Sequence, residues 1–78
     1  MDREELKQRL DEAGVRPESY HLYGAHMSER YVLLEQGQQW SVFYSERGLE
    51  TGKRTFDSES EACKYLFGLL TGDPTTRD

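Results

Sequence analysis

The amino-acid sequence predicts a small α+β domain: an antiparallel sheet of three to four strands flanked by an N-terminal and a C-terminal helix, in the order α-β-β-β-α. Three observations predict it. Each end of the chain carries a capped, leucine-bearing stretch of helical period. Between them lie two runs rich in β-branched and aromatic residues, 31–35 and 40–44, separated by Gln36-Gly37-Gln38-Gln39. The chain has only 78 residues, 35% of them hydrophobic, which is enough for one modest core and no second domain. A single domain is therefore expected over residues 1–72, with a flexible C-terminal tail over 73–78.

The first helix is expected over residues 2–13. Asp2 is placed as its N-cap, with Glu5 three residues on as the capping-box partner. Leu6, Leu10 and Ala13 form one narrow apolar stripe, and Gly14 stands where a C′ residue ends a helix. Arg3, Glu4, Lys7, Arg9, Asp11 and Glu12 read as a solvated face. Pro17 blocks continuation, and Tyr20, Leu22 and Gly24 suit a short extended edge stretch. The hairpin follows. A two-residue turn at Gly37-Gln38, with glycine supplying the positive φ, pairs Glu35 with Trp40, Leu33 with Val42 and Tyr31 with Tyr44. Glu46, Arg47, Gly48 and Gly52 mark the next turn, and residues 53–56 make a short third strand. In the last helix Ser58 is the N-cap and Glu61 its partner. Ala62, Leu66, Leu69 and Leu70 form its stripe, widened by Cys63 and Phe67. Gly72 is expected to end it and Pro74 to prevent resumption.

Alternation divides the hairpin into two faces. Tyr31, Leu33, Trp40, Val42 and Tyr44 are bulkier and are expected to face the helices, with Trp40 a core residue. Val32, Leu34 and Phe43 share the opposite face. If both helices cover one face, this trio is an exposed apolar patch of the kind that marks partner sites; if they cover opposite faces, it is core.

Composition narrows the function. Fifteen acids against ten bases give a net charge of −5, which opposes phosphate, so nucleic-acid binding is disfavoured. The helix–three strands–helix order is that of the double-stranded-RNA-binding fold, but the start of the last helix, Asp57-Ser58-Glu59-Ser60-Glu61, has the wrong sign for a phosphate contact. A nucleic-acid or regulatory reading would have to use the sheet, with Arg47, Lys53, Arg54 and aromatics. No apolar run approaches membrane-spanning length, and the charged N-terminus is not a signal peptide, so a cytoplasmic protein is expected. The single cysteine, Cys63, forms no internal disulfide and reads as a small buried hydrophobe. His21 and His26 form no catalytic pair with it, and the paired acids are explained by helix caps and faces. No catalytic, metal or cofactor-binding residues are expected. The acidic surface points instead to a basic protein partner: residues 2–12 carry five acids against three bases, and residues 57–64 three against one.

Three segments carry a resemblance. The strand Tyr31-Val-Leu-Leu-Glu35, the stretch Trp40-Ser-Val-Phe-Tyr44-Ser-Glu-Arg-Gly48 and the helix start Phe56-Asp-Ser-Glu-Ser-Glu-Ala-Cys-Lys-Tyr65 resemble small bacterial immunity-type proteins encoded beside polymorphic, contact-dependent toxins. The resemblance covers roughly residues 20–67 and implies a cytoplasmic protein that binds one cognate toxin, frequently a nuclease, and blocks it. It transfers no binding residues. On charge and position, Glu29, Glu35, Glu46 and Glu50 at the hairpin ends are expected to meet a basic cleft as phosphate mimics. Tyr23 and Phe43 are expected to supply buried anchors.

Overall fold

A computed structural model describes residues 1–23 and 29–76. It has α1 (Arg3–Glu12), β1 (Tyr20–His21), β2 (Arg30–Gln36), β3 (Gln39–Glu46), β4 (Leu49–Phe56) and α2 (Glu59–Gly72), with short 3₁₀ turns at Pro17–Ser19 and Pro74–Thr76. The fold is α+β with a helix at each end of a four-stranded sheet, ordered β1-β2-β3-β4. Gly24 of the expected extended stretch, His26, and tail positions 77 and 78 lie outside the described residues.

The local signals act largely as expected. Asp2 Oδ1 accepts the Glu5 amide at 2.8 Å, and Ser58 Oγ accepts the Glu61 amide at 3.1 Å. Glu5 does not complete the capping box; its carboxylate bonds Arg9 at 2.7 Å. Gly14, at φ +80°, follows the α1 C-cap Ala13. The β2–β3 register is the predicted one, with Gly37 at φ +64° in the turn.

Five expectations need correction. The sheet is mixed, because β1 runs parallel to β2, pairing Tyr20 with Tyr31 and His21 with Val32. The last strand spans Leu49–Phe56 and is not confined to residues 53–56. Gly52 belongs to a bulge, where Gly52 and Lys53 together stand against Phe43 between the Val42–Arg54 and Tyr44–Thr51 pairs. Gly72 is still helical, and Asp73 ends α2 by donating its amide to Leu70. Finally, residues 73–76 are docked: Thr76 is 3% exposed, its hydroxyl donates to Leu70 O at 2.6 Å, and its carbonyl accepts the Arg16 amide at 2.8 Å.

Both helices pack on one sheet face. Leu6 and Leu10 of α1, and Ala62, Cys63, Leu66 and Leu70 of α2, form one cluster with Leu33, Val42, Val15, Tyr20 and Leu22. Tyr31 and Trp40 border it, half-buried, so Trp40 is a peripheral member of the core. The opposite face breaks the expected alternative. With both helices elsewhere, Val32 and Phe43 are still 0% and 1% exposed, beside buried Ser41 and Ser45. That face is therefore interior at its centre, Leu34 alone of the trio being half-exposed. Phe43 is not a surface anchor.

The β3–β4 turn holds the one strained choice in the hairpins. Arg47 and Gly48 have φ of +51° and +81°, a pair of left-handed positions that asparagine-glycine fits best. A non-glycine residue there costs about 1–2 kcal/mol, and asparagine relieves part of it. Arg47→Asn is expected to raise stability by about 0.5–1 kcal/mol, read as a higher urea midpoint at unchanged m-value. An unchanged or lower midpoint would show that the arginine side chain compensates its backbone.

Candidate partner-binding surface

The helix layer stops short of one end of the sheet. By alternation Tyr31, Tyr44, Glu46, Leu49 and Thr51 share the helix-side face, since Tyr31 pairs with Tyr44, Tyr44 with Thr51 and Glu46 with Leu49. Tyr31 and Tyr44 are half-buried at the helix boundary, their rings edge-to-face at 5.0 Å and 69°. Beyond them the face is open. Leu49 is 69% exposed, and Glu46 and Thr51 beside it are exposed too.

An open groove of about 530 Å³ runs along this boundary. The turn after α1 contributes Arg16, Glu18 and Ser19; the start of β2 contributes Glu29 and Tyr31; β3 contributes Tyr44; the docked C-terminal turn contributes Asp73, Thr75 and Thr76. Asp73 caps that turn, with Oδ1 accepting the Thr75 amide at 3.0 Å and its hydroxyl at 2.8 Å. Its Oδ2 accepts the Tyr31 hydroxyl at 3.3 Å. These bonds, those from Thr75 foremost, hold the Asp73 carboxyl below the usual carboxylate range, so it stays ionised. Both phenols shift the other way. Desolvation raises Tyr31, with Asp73 adding to it, and desolvation raises Tyr44, with Glu29, Glu46 and Asp73 adding to it. At neutral pH the groove therefore offers two uncharged aromatic rings beside the ionised Asp73 carboxylate. Arg16 sits at the rim, its guanidinium donating to the Thr75 carbonyl at 2.8 Å.

The candidate residues from the sequence divide among three places. Glu29 and Glu46 converge on Tyr44; Glu29 takes φ +62° and donates its amide to Ser45 O as the chain enters β2. Glu50 is exposed beside them in the strand but belongs to the opposite face, where it pairs with Lys53 at 3.2 Å. Glu35 lies at the other end of β2, about 20 Å away at strand rise, so the four glutamates do not form one phosphate-like array. There Arg3 joins Glu35 at 3.5 Å and Glu59 at 3.1 Å, with its guanidinium 4.8 Å from the Tyr23 ring and 5.1 Å from that of Trp40. Tyr23 is 63% exposed, as a surface anchor requires, but stands apart from Glu29 and Glu46. Phe43 is buried on the far face.

Sequence reasoning passed over Tyr31, Tyr44, Leu49 and Asp73 as surface groups. The signal for Leu49 and Glu46 was present: alternation carries the Tyr44 face onward past the last helix-covered pair. Asp73-Pro74-Thr75 is likewise a legible cap for a short turn.

Cys63 is fully buried, and burial, with the nearby Glu59 charge, pushes its thiol up to about 11, so it is an unreactive thiol at neutral pH. No group of three His, Cys, Asp or Glu side chains among the described residues is placed to hold a metal ion. No helix among them is long and apolar enough to cross a membrane. Compared with known proteins, the chain matches no family model, no curated protein and no solved structure.

Proposed function

We propose that the protein is an acidic protein-binding domain that docks a basic partner on the open Tyr44–Leu49 end of its sheet, and that the partner is a toxin it neutralises. The observation that carries the binding reading is the juxtaposition on one face of an exposed leucine, two neutral phenol rings, ionised Asp73, and Glu29 and Glu46. An apolar anchor with a charged rim is the usual anatomy of a protein interface. The net charge of −5 steers a basic partner toward it. The toxin reading rests on the resemblance of residues 20–67 to immunity-type proteins. In that mechanism the docked domain covers a basic active-site cleft and excludes the nucleic-acid substrate.

The nucleic-acid alternative draws on the helix–strands–helix order and on the basic residues of β4. Those residues are engaged within the chain: Lys53 pairs with Glu50, and the Arg54 guanidinium lies 5.2 Å from the Tyr65 ring and 5.9 Å from that of Phe56. The start of α2 stays acidic.

Co-expression with the variable C-terminal domain of a secreted toxin encoded beside this chain tests the proposal. Restored growth is expected. Glu29→Lys with Glu46→Lys should lower the association rate with that domain about tenfold at low salt, with the fold intact. Absence of protection by the wild-type chain would sink the toxin reading. Micromolar, salt-sensitive binding to duplex or single-stranded oligonucleotides would favour the alternative.

A further inference from the structure

We propose that the outer edge of β4 pairs with the same edge of a second copy of this chain, joining two four-stranded sheets into one across a two-fold axis. The inference is independent of the binding reading above. The sheet ends in two unlike edges: β1 has two residues, whereas β4 has eight and is exposed from Leu49 through Thr55. Among the described residues no strand pairs with the outer side of β4. An edge of this length presents, along about 27 Å, a row of backbone N–H and C=O groups that template another strand. Leu49, 69% exposed, and half-buried Phe56 stand at its two ends on the helix-side face.

The occupant follows from the pattern of the strand itself. Leu49, Thr51, Arg54 and Phe56 lie on the helix-side face and Glu50 and Thr55 on the other, with Gly52 and Lys53 together at the bulge opposite Phe43. Antiparallel pairing keeps each face continuous only where residues of the same face stand opposite one another. About a two-fold axis between Gly52 and Lys53 this holds at every position: Leu49 meets Phe56 of the second copy, Glu50 meets Thr55, Thr51 meets Arg54 and Gly52 meets Lys53. Sliding by one residue in either direction sets one face against the other at the strand ends. The bulge and Lys53 guard the edge against indiscriminate pairing; placed at the axis, they select this register. The same register sets Glu50 diagonal to Lys53 of the second copy, twice by symmetry, so the pair made at 3.2 Å within one chain can be shared across the axis. Lys53 and Arg54 against Glu50 give β4 a net charge of +1, so the surplus of −5 lies elsewhere on the chain.

The contact is one strand wide, at the low end of interface size, so the dimer is a weak one. The test is sedimentation equilibrium of the full chain from about 10 µM to about 1 mM, with backbone amide chemical shifts followed over the same range. The mass should rise from that of one chain toward that of two, and the concentration-dependent shifts should centre on residues 49–56. Two exposed substitutions test the register. Thr51→Glu sets a carboxylate opposite Arg54 of the second copy and should tighten the dimer about three- to tenfold, although it adds to the net negative charge; Thr51→Lys should weaken it by as much. A chain that stays monomeric at the highest concentration, or shifts confined to other residues, would overturn the proposal. So would a Thr51→Glu chain that associates more weakly than wild type, the result that general charge repulsion requires. If the β4 amides answer to the toxin domain and not to the chain's own concentration, the edge takes a strand of that partner and self-pairing is overturned. Growth protection by a chain that stays monomeric would overturn this inference and leave the proposed function standing.

Discussion

Replacing Phe43 by alanine is expected to destabilise the domain by about 3–5 kcal/mol. The ring is 1% exposed and heads the fully buried side chains by volume. It sits opposite the Gly52–Lys53 bulge, with the Lys53 ammonium 5.9 Å from the ring centroid. Truncation would leave a cavity beside Val32, Ser41 and Ser45, on the sheet face away from α1 and α2. Small domains sit near the low end of the roughly 5–15 kcal/mol range, so a loss of this size unfolds a large share of molecules at 37 °C. Urea denaturation followed by Trp40 fluorescence measures it. Phe43→Leu should recover most of the loss, since it restores volume without adding polarity. By contrast, Leu49→Ala on the open face should stay within about 0.5 kcal/mol. A Phe43→Ala midpoint as high as that of Leu49→Ala would place the ring at the surface and return it to the list of anchors.

The contrast between those two residues shows what kind of information the sequence carries. Phe43 and Leu49 are equally apolar in the text of the chain, and only what lies over them distinguishes core from surface. The features that were legible are local. Asp2 and Ser58 cap helices three residues downstream, and Gly37 sets a register that propagates by alternation through seven paired positions. The features that were not legible need partners far along the chain. The parallel pairing of Tyr20 with Tyr31 requires a crossover that no turn signal announces. Gly52 reads the same whether it closes a turn or opens a bulge. Thr76 is anchored by Arg16, sixty positions away, so a terminal run of polar residues passed for a frayed end. The candidate surface is half visible for the same reason: charge marks Glu29 and Glu46, but alternation puts Tyr31 and Tyr44 on the helix-covered face with Leu33 and Val42.

Arg3 is the strongest instance, and its removal carries the second large effect. The sequence places it on a solvated face, yet its side chain is only 22% exposed. Its Nε donates to Glu59 Oε2 at 3.1 Å, an Nη lies 3.5 Å from Glu35 Oε1, and its guanidinium carbon lies 4.8 Å from the Tyr23 ring and 5.1 Å from that of Trp40. One side chain thus ties the start of α1 to the start of α2, to the end of β2 and to the chain after β1. Each ring contact contributes about 0.5–1 kcal/mol, and each partly exposed ion pair about 0.2–1 kcal/mol after solvent screening. Arg3→Ala is therefore expected to cost about 2 kcal/mol. The loss is not helical: the Arg3 backbone amide keeps its own 3.0 Å bond to Glu59, and alanine is the better helix former. Arg3→Lys should recover less than half, because an ammonium keeps the charge but not the forked donors that reach both Glu35 and Glu59. A double-mutant cycle with Glu59→Gln should show about 1 kcal/mol of coupling, diminished by salt. If Arg3→Ala instead falls within about 0.5 kcal/mol of wild type, the side chain is a surface cation after all, and the shared core of Leu6, Leu10 and Leu66, with the backbone bond to Glu59, holds α1 to α2 without the guanidinium.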